Sequence, residues 1–286
     1  MHAHSKNTYA PIIAALVSIL WASACVAEPP DKNTDDKPAP KESPEKRPTS
    51  GDSETDRILD RLEAKGKAIQ GLTCKLTYRY VTGGPVQDTM TKLGRLSFTR
   101  GQTNSMFLIE FDSRIADGEK IKNVEKYAFD GEWFTEFNEK SRSVTRRQIV
   151  RKGERIDPFK LGNGPFPMPF GQKRDEILRE FTVERRKPEL EDPPGSIHLH
   201  CVPRHGTQLA KKYSRVEIFV DRKIELPIRI VSESKMDSSR IEVDFKGVNT
   251  DAAPAGSRFK IACPAGFQEQ FERLPPLIEL PPTEKR

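Results

Sequence analysis

The chain predicts a mainly β protein, an antiparallel sheet of about 11–12 strands that is curved and covered by helices. Three observations carry that prediction. About a dozen short segments rich in Val, Ile, Phe and Tyr follow one another from residue 74 onward. The gaps between most of them suit hairpins and are too short for parallel crossovers, which need a dozen or more residues. An amphipathic helix precedes the strands, and one Gly- and Pro-rich apolar stretch with a short helix interrupts them.

The first 27 residues hold one charged side chain, Lys6, followed by the apolar run "PIIAALVSILWASA" and small residues, the layout of a secretory signal. Its uninterrupted core of about 13 residues falls short of the roughly 20 that span a bilayer. Losing this segment lowers the formal charge from +6 to +5. Export disfavours nucleic acid as a partner. Cys25, preceded by Ala22, Ser23 and Ala24, is a candidate for lipidation, while cleavage after Ala24 or Ala27 would give plain secretion. Residues 28–54 carry six prolines and no aromatic side chain. They read as a disordered tether spanning ~30 Å, a length that serves a domain held at a membrane. Membrane contact is expected only through such an anchor.

The folded part is expected from Thr55. "SETDRILDRLEAKGKAIQGL" places Ile58, Leu59, Leu62 and Ile69 near one helical face behind polar capping residues. The strands then read "CKLTYRYV", "KLGRLSF", "SMFLIEF", "EKYAF", "EWFTEF", "RSVTRRQIV", "FTVERR", "SIHLHCV", "SRVEIFV", "LPIRIVS", "SRIEVDF" and "SRFKIA". In "RIEVDF", Ile241, Val243 and Phe245 point one way, and Arg240, Glu242 and Asp244 point to a wet face. Asp130-Gly131 suits a tight hairpin, and "DRKIELP" a turn with Pro227 at a strand entry. Residues 157–181 pass from the loop "GNGPFPMPFG" into a short helix with Ile177, Leu178 and Phe181 available for burial. Phe166, Met168 and Phe170 in that loop either plug the core or form a lid over an apolar cavity.

No catalytic constellation stands out. There is no G-x-S-x-G elbow and no paired acid and base; the carboxylates are scattered opposite Lys and Arg. His198 and His200 share a strand face, but their spacing matches no usual zinc signature, so neither metal nor cofactor is expected. The basic run from Arg142 to Arg155 fits a solvated edge strand better than a surface for anionic head groups or an acidic partner. Without Cys25, three cysteines remain, Cys74, Cys201 and Cys263; one disulfide is conceivable, Cys201 with Cys263 among the choices, and spacing does not fix it.

The order and wording of "ILDRLEAKGKAIQGLTCKLTYRYV", "GRLSFTRGQTNSMFLIEFD", "YAFDGEWFTEFNEKSRSVTRRQI" and "RVEIFVDRKIELPIRIV" resemble the periplasmic lipoprotein carrier superfamily of LolA and LolB, over residues 55–267. The resemblance implies an unclosed antiparallel half-barrel with a helical lid over a cavity for acyl chains, and no enzymatic activity. It implies that Phe107, Ile109 and Phe111 line that cavity. Alternation and resemblance together add Tyr78, Phe98, Phe129, Ile241 and Val243, and the lid loop supplies Met168 and Phe170. Arg100 in "FTRGQ" matches the family's lid-holding arginine; as a plain residue it reads equally well as a turn arginine in water. The sequence departs from the family at Gly101, where a proline is usual, and throughout the rewritten lid.

The expected function is therefore a non-enzymatic envelope protein, periplasmic or lipid-anchored, that binds lipid or lipoprotein acyl chains. The alternative is an interaction module with a packed interior, meeting an envelope protein through its basic face or its Pro-rich tail, residues 268–286. That tail either covers an open sheet edge, docks a partner or stays unstructured.

Overall fold

The structure, a computed structural model, describes residues 47–155, 172–251 and 253–275. Helix α1, Ser53–Ala68, begins at Asp52, whose carboxylate accepts from the Glu54 and Thr55 amides and so satisfies two of the free N–H groups of the first turn. Ile58 and Leu59 are buried on one face and Leu62 is partly so, as the spacing predicts. Ile69 caps the helix and is buried beyond its end.

Six strands follow: β1 Gly71–Val81, β2 Thr89–Thr99, β3 Met106–Ala116, β4 Glu119–Phe129, β5 Trp133–Asn138 and β6 Ser143–Gln148. Helix α2, Arg174–Glu180, runs directly into β7, Phe181–Arg186. Next come β8 Ser196–Pro203, the short α3 Leu209–Lys212, β9 Tyr213–Asp221, β10 Pro227–Ser234, β11 Arg240–Asn249 and β12 Gln268–Glu272.

β1 to β6 form one antiparallel meander and β7 to β11 another, and β1 pairs antiparallel with β11 to join them into a single 12-stranded sheet. The sheet ends at β7 and β12 and is not closed into a barrel, which is the unclosed, mainly antiparallel architecture read from the sequence. Asp130 and Gly131 turn β4 into β5: Gly131 takes φ +105°, and the Asp130 carboxylate accepts from the Glu132 and Trp133 amides. Pro227 opens β10.

Several expectations are corrected. "SRFKIA" is not a strand: Gly256–Phe259 is a 3-10 turn, and Phe259 packs on Leu108 and Ala128 of the outer sheet face. The segment is better stabilised by covering those two apolar side chains than by extending an edge. The outer face of β11 is not simply wet. Glu242 and Asp244 are 7% and 8% exposed. They pair with Arg79 at 2.8 Å and with Arg229 at 2.7 Å, respectively. Cys74, Cys201 and Cys263 are all free, so the conceivable disulfide is not formed.

Beyond residue 267, β12 pairs in parallel with β6 and so takes the edge-covering role. The basic run is largely neutralised there: Arg146 meets Glu269 at 2.6 Å, and Arg147 meets Glu136 at 2.7 Å and Glu272 at 2.8 Å. The opposite edge, β7, ends in exposed Glu184, Arg185 and Arg186, charges that discourage pairing with another chain.

Candidate functional site

The inner face of the sheet is built by period-2 alternation, and strand register turns its apolar side chains into rows that cross the strands. One row runs Leu72, Phe98, Phe107, Phe129, Phe134 from β1 to β5, each residue directly opposite the next. Another starts at Tyr78 and runs the other way through Val243, Ile230, Ile218 and Leu199 to β8. Ile109 lies between Leu96 and Tyr127, in a parallel row. Directly opposed side chains sit about 4.5–5.5 Å apart at Cβ, close enough for continuous contact. The aromatic members meet edge-on or tilted: Tyr78 with Phe111 at 6.1 Å, Phe111 with Tyr127 at 6.3 Å, and Phe107 with Phe129 at 6.2 Å.

Of the residues named from the sequence, Tyr78, Phe98, Phe107, Ile109, Phe111, Phe129 and Val243 are buried in this one cluster, and Ile241 packs against it half-buried. Met168 and Phe170 lie outside the described residues, as does Cys25. Leu72, Phe134, Ile230, Ile218 and Leu199 were not named from the sequence. Their strands were recognised, but only the register shows that they complete the rows.

Ile58 and Leu59 of α1 and Ile177 and Leu178 of α2 belong to the same cluster, so the two helices cover the inner face. Polar ties hold them. Arg174 of α2 reaches Asp56 of α1 at 3.1 Å, and its amide donates to Glu63 at 2.8 Å. Burial works against the Asp56 charge, yet hydrogen bonds from Thr49, Ser50 and Arg174 hold its carboxyl down at about 2. Arginines from outside the helices close their C-terminal ends, where carbonyls lack intrahelical partners. Arg100 donates through Nε to the Ile69 carbonyl at 3.0 Å and through Nη2 to the Gly66 carbonyl at 2.8 Å. Arg204 donates through Nε to the Leu178 carbonyl at 2.8 Å. Arg100 therefore ties α1. An open cleft of about 110 Å³ enters between α1 and the β8–β9 region, lined by Ile58, Leu62, Ile197 and Val220 and rimmed by Arg61 and Glu225 at 3.7 Å.

One polar cluster is sunk in the inner face. Lys92, 4% exposed, pairs with Glu125, which also accepts from Asn123 at 2.9 Å and from the Tyr127 hydroxyl at 3.0 Å. Burial opposes the Glu125 charge, but Lys92 and these donors outweigh it and lower its pKa. Burial pushes the Cys74 thiol up to about 12 and raises Cys201 as well, so neither offers a thiolate at neutral pH. His198 and His200 share the Glu217 carboxylate at 3.0 and 2.8 Å. The inner face is mainly apolar; Lys92, Glu125 and Tyr127 are engaged with one another there, and the buried Ser232 hydroxyl has no hydrogen-bond partner among the described residues.

No protein-family model and no curated protein matches the chain. Among solved structures, it is similar to an uncharacterized conserved protein from Thermus thermophilus, at 11% identity and TM-score 0.43 over 78% of this chain and 100% of that one. It is also similar to LprF from Mycobacterium bovis, at 9% identity and TM-score 0.40 over 73% of this chain and 99% of that one. A further match is the LolA superfamily protein NE2245 from Nitrosomonas europaea, at 12% identity and TM-score 0.32 over 72% and 96% of the two chains.

Proposed function

We propose that this is a non-enzymatic protein of the cell envelope that takes up an acyl chain along the inner face of its sheet, beneath a cover that includes α1 and α2. The observation that carries the reading is the pair of apolar rows in register across both meanders, under helices whose C-terminal ends are held by single arginines. The cleft beside α1 has room for about three to four water-sized groups, so uptake of a chain through it requires the cover to shift. A chain of sixteen carbons gains about 12 kcal/mol gross on burial, at ~0.8 kcal/mol per methylene, which works against the partial loss of helix packing. Export, with a tether that leaves the domain soluble or anchored at Cys25, belongs to the same proposal.

The burial of Tyr78, Phe98, Phe107, Ile109, Phe111, Phe129 and Val243, none more than 6% exposed, favours a second reading, an interaction module whose interior stays packed. Titration with a fluorescent acyl probe separates the two. Saturable binding that a long-chain fatty acid displaces supports the carrier reading, and Ile109→Arg is then expected to abolish it. A wild-type protein that binds no probe leaves the packed module. Ile109 is 1% exposed, so circular dichroism must first show that the variant folds; Ile109→Ala serves as the milder exchange, with weaker binding expected.

A further inference from the structure

The outer face of the sheet holds an arrangement that the inner-face reading does not use. Three cations stand in one row across adjacent strands: Lys246 of β11 is opposite Lys75 of β1, and Lys75 is opposite Arg95 of β2. Strands lie about 4.8 Å apart, so the row is about 10 Å long. Like charges directly opposite one another destabilise a sheet. Elsewhere on this face the sequence avoids that cost by alternating signs, as where Arg79 is opposite Glu242 and Arg229 is opposite Asp244. In this row, none of the three cations has a carboxylate partner among the described residues. The nearest acid along the register, Glu110 opposite Arg95, is already taken by Lys126 at 3.3 Å and Arg258 at 2.9 Å.

A second observation places a cavity at the same point. The segment that follows β11 crosses the outer face and walls an open trough of about 640 Å³, lined by Lys75, Arg95, Ser97, Pro254 and Arg258 among others. Gly247 also lines it, and Lys246 immediately precedes Gly247, opposite Lys75. The wall lies flush on β1: a side chain at Gly71 would meet the Ala253 backbone at 2.2 Å, and the Thr99 hydroxyl donates to the Pro254 carbonyl at 2.7 Å. Arg258 is fixed at the back by Ser97, whose hydroxyl accepts from Nε at 3.1 Å.

From the unneutralised row and the walled trough we infer a binding site for a phosphate-bearing anion, held by Lys75, Arg95 and Lys246, with Ser97 and Arg258 behind them. A phosphate group carries up to two negative charges and several acceptor oxygens, which suits a row of two lysines ending in an arginine fork better than one carboxylate does. Its source is either a soluble phosphate ester or a phospholipid head group. The site is independent of acyl binding and lies on the opposite face of the sheet.

The test is thermal melting and calorimetric titration of the full chain with pyrophosphate, inorganic phosphate, and vesicles of phosphatidylglycerol or phosphatidylcholine, against chloride at matched ionic strength. A ligand that binds the folded state raises its melting temperature by mass action. Saturable binding of pyrophosphate or phosphate assigns a soluble ester, and binding of phosphatidylglycerol vesicles alone assigns a head group. Lys75→Glu is expected to weaken binding at least tenfold while raising the ligand-free melting temperature, because it places a carboxylate between two cations. Arg95→Gln is expected to weaken binding with the fold unchanged. No saturable response to any of these anions overturns the inference. So does a response that chloride reproduces, or one that both variants retain in full.

Discussion

Removing the Arg100 side chain tests whether the helical cover is held at its ends. In Arg100→Ala the backbone bond from the Arg100 amide to the Gln70 carbonyl survives, so only the two guanidinium bonds to the Ile69 and Gly66 carbonyls are lost. Each is a bond from a charged donor, a class worth about 1.5–3 kcal/mol net; partial exposure and a shared acceptor segment bring the pair to about 2–3 kcal/mol. For a domain of this size each kcal/mol moves the melting temperature by about 2–4 °C, so a fall of roughly 4–12 °C is expected. If α1 detaches as a local unit, the same energy accelerates hydrogen exchange of its amides roughly 30- to 160-fold, well beyond the change in β9 and β10. Arg100→Lys, which can restore one bond, should fall between. Calorimetry and exchange mass spectrometry read both effects. A melting temperature within about 1 °C of wild type, with unchanged exchange in α1, would refute the idea that Arg100 ties the cover.

Two further perturbations reach the joint between α1 and α2 and the β12 edge of the sheet. Asp56 has a folded pKa of about 2 against an ordinary 3.8, so its contribution is fully present above about pH 4 and is lost as pH falls toward about 2. Thermal melts across that window should show a steeper loss for wild type than for Asp56→Asn; parallel curves would count against the Arg174–Asp56 joint. Truncation after Phe267 removes β12, exposes the β6 edge, and takes Glu269 and Glu272 from Arg146 and Arg147. At about 0.5–1 kcal/mol for each partly exposed pair, stability should fall by about 1–2 kcal/mol, and light scattering should show concentration-dependent self-association. A monomer with wild-type stability would mean that β12 does not protect the edge.

Much of the fold was legible because strands of this kind declare themselves locally. Val, Ile, Phe and Tyr at period 2 mark β1 to β11, Asp130-Gly131 marks its turn, and Ile58 and Leu59 mark the buried side of α1. What was illegible depends on distant chain. "QEQFE" becomes β12 because Arg146 and Arg147 wait on β6, and no local pattern in those five residues declares a strand. "SRFKIA" alternates like a strand but is drawn onto Leu108 and Ala128. For the candidate site, the resemblance named Phe107 and, with alternation, Phe98 and Phe129, yet only register aligns them with Leu72 and Phe134. The pairing of Lys92 with Glu125, 33 positions apart, and the unpaired row of Lys246, Lys75 and Arg95 are likewise products of register, invisible while the charges are read strand by strand.

The proposed position of the acyl chain is the inner face. The most direct measurement is photo-crosslinking with a fatty acid bearing a diazirine at its end, followed by peptide mapping. An inner-face chain should label inner-row peptides, in β3 around Phe107–Phe111 and in β4 around Tyr127–Phe129, competed by unlabelled fatty acid and lost in a folded Ile109→Arg variant. Absence of competed label, or label confined to outer-face residues such as Lys75 and Arg95, would contradict it.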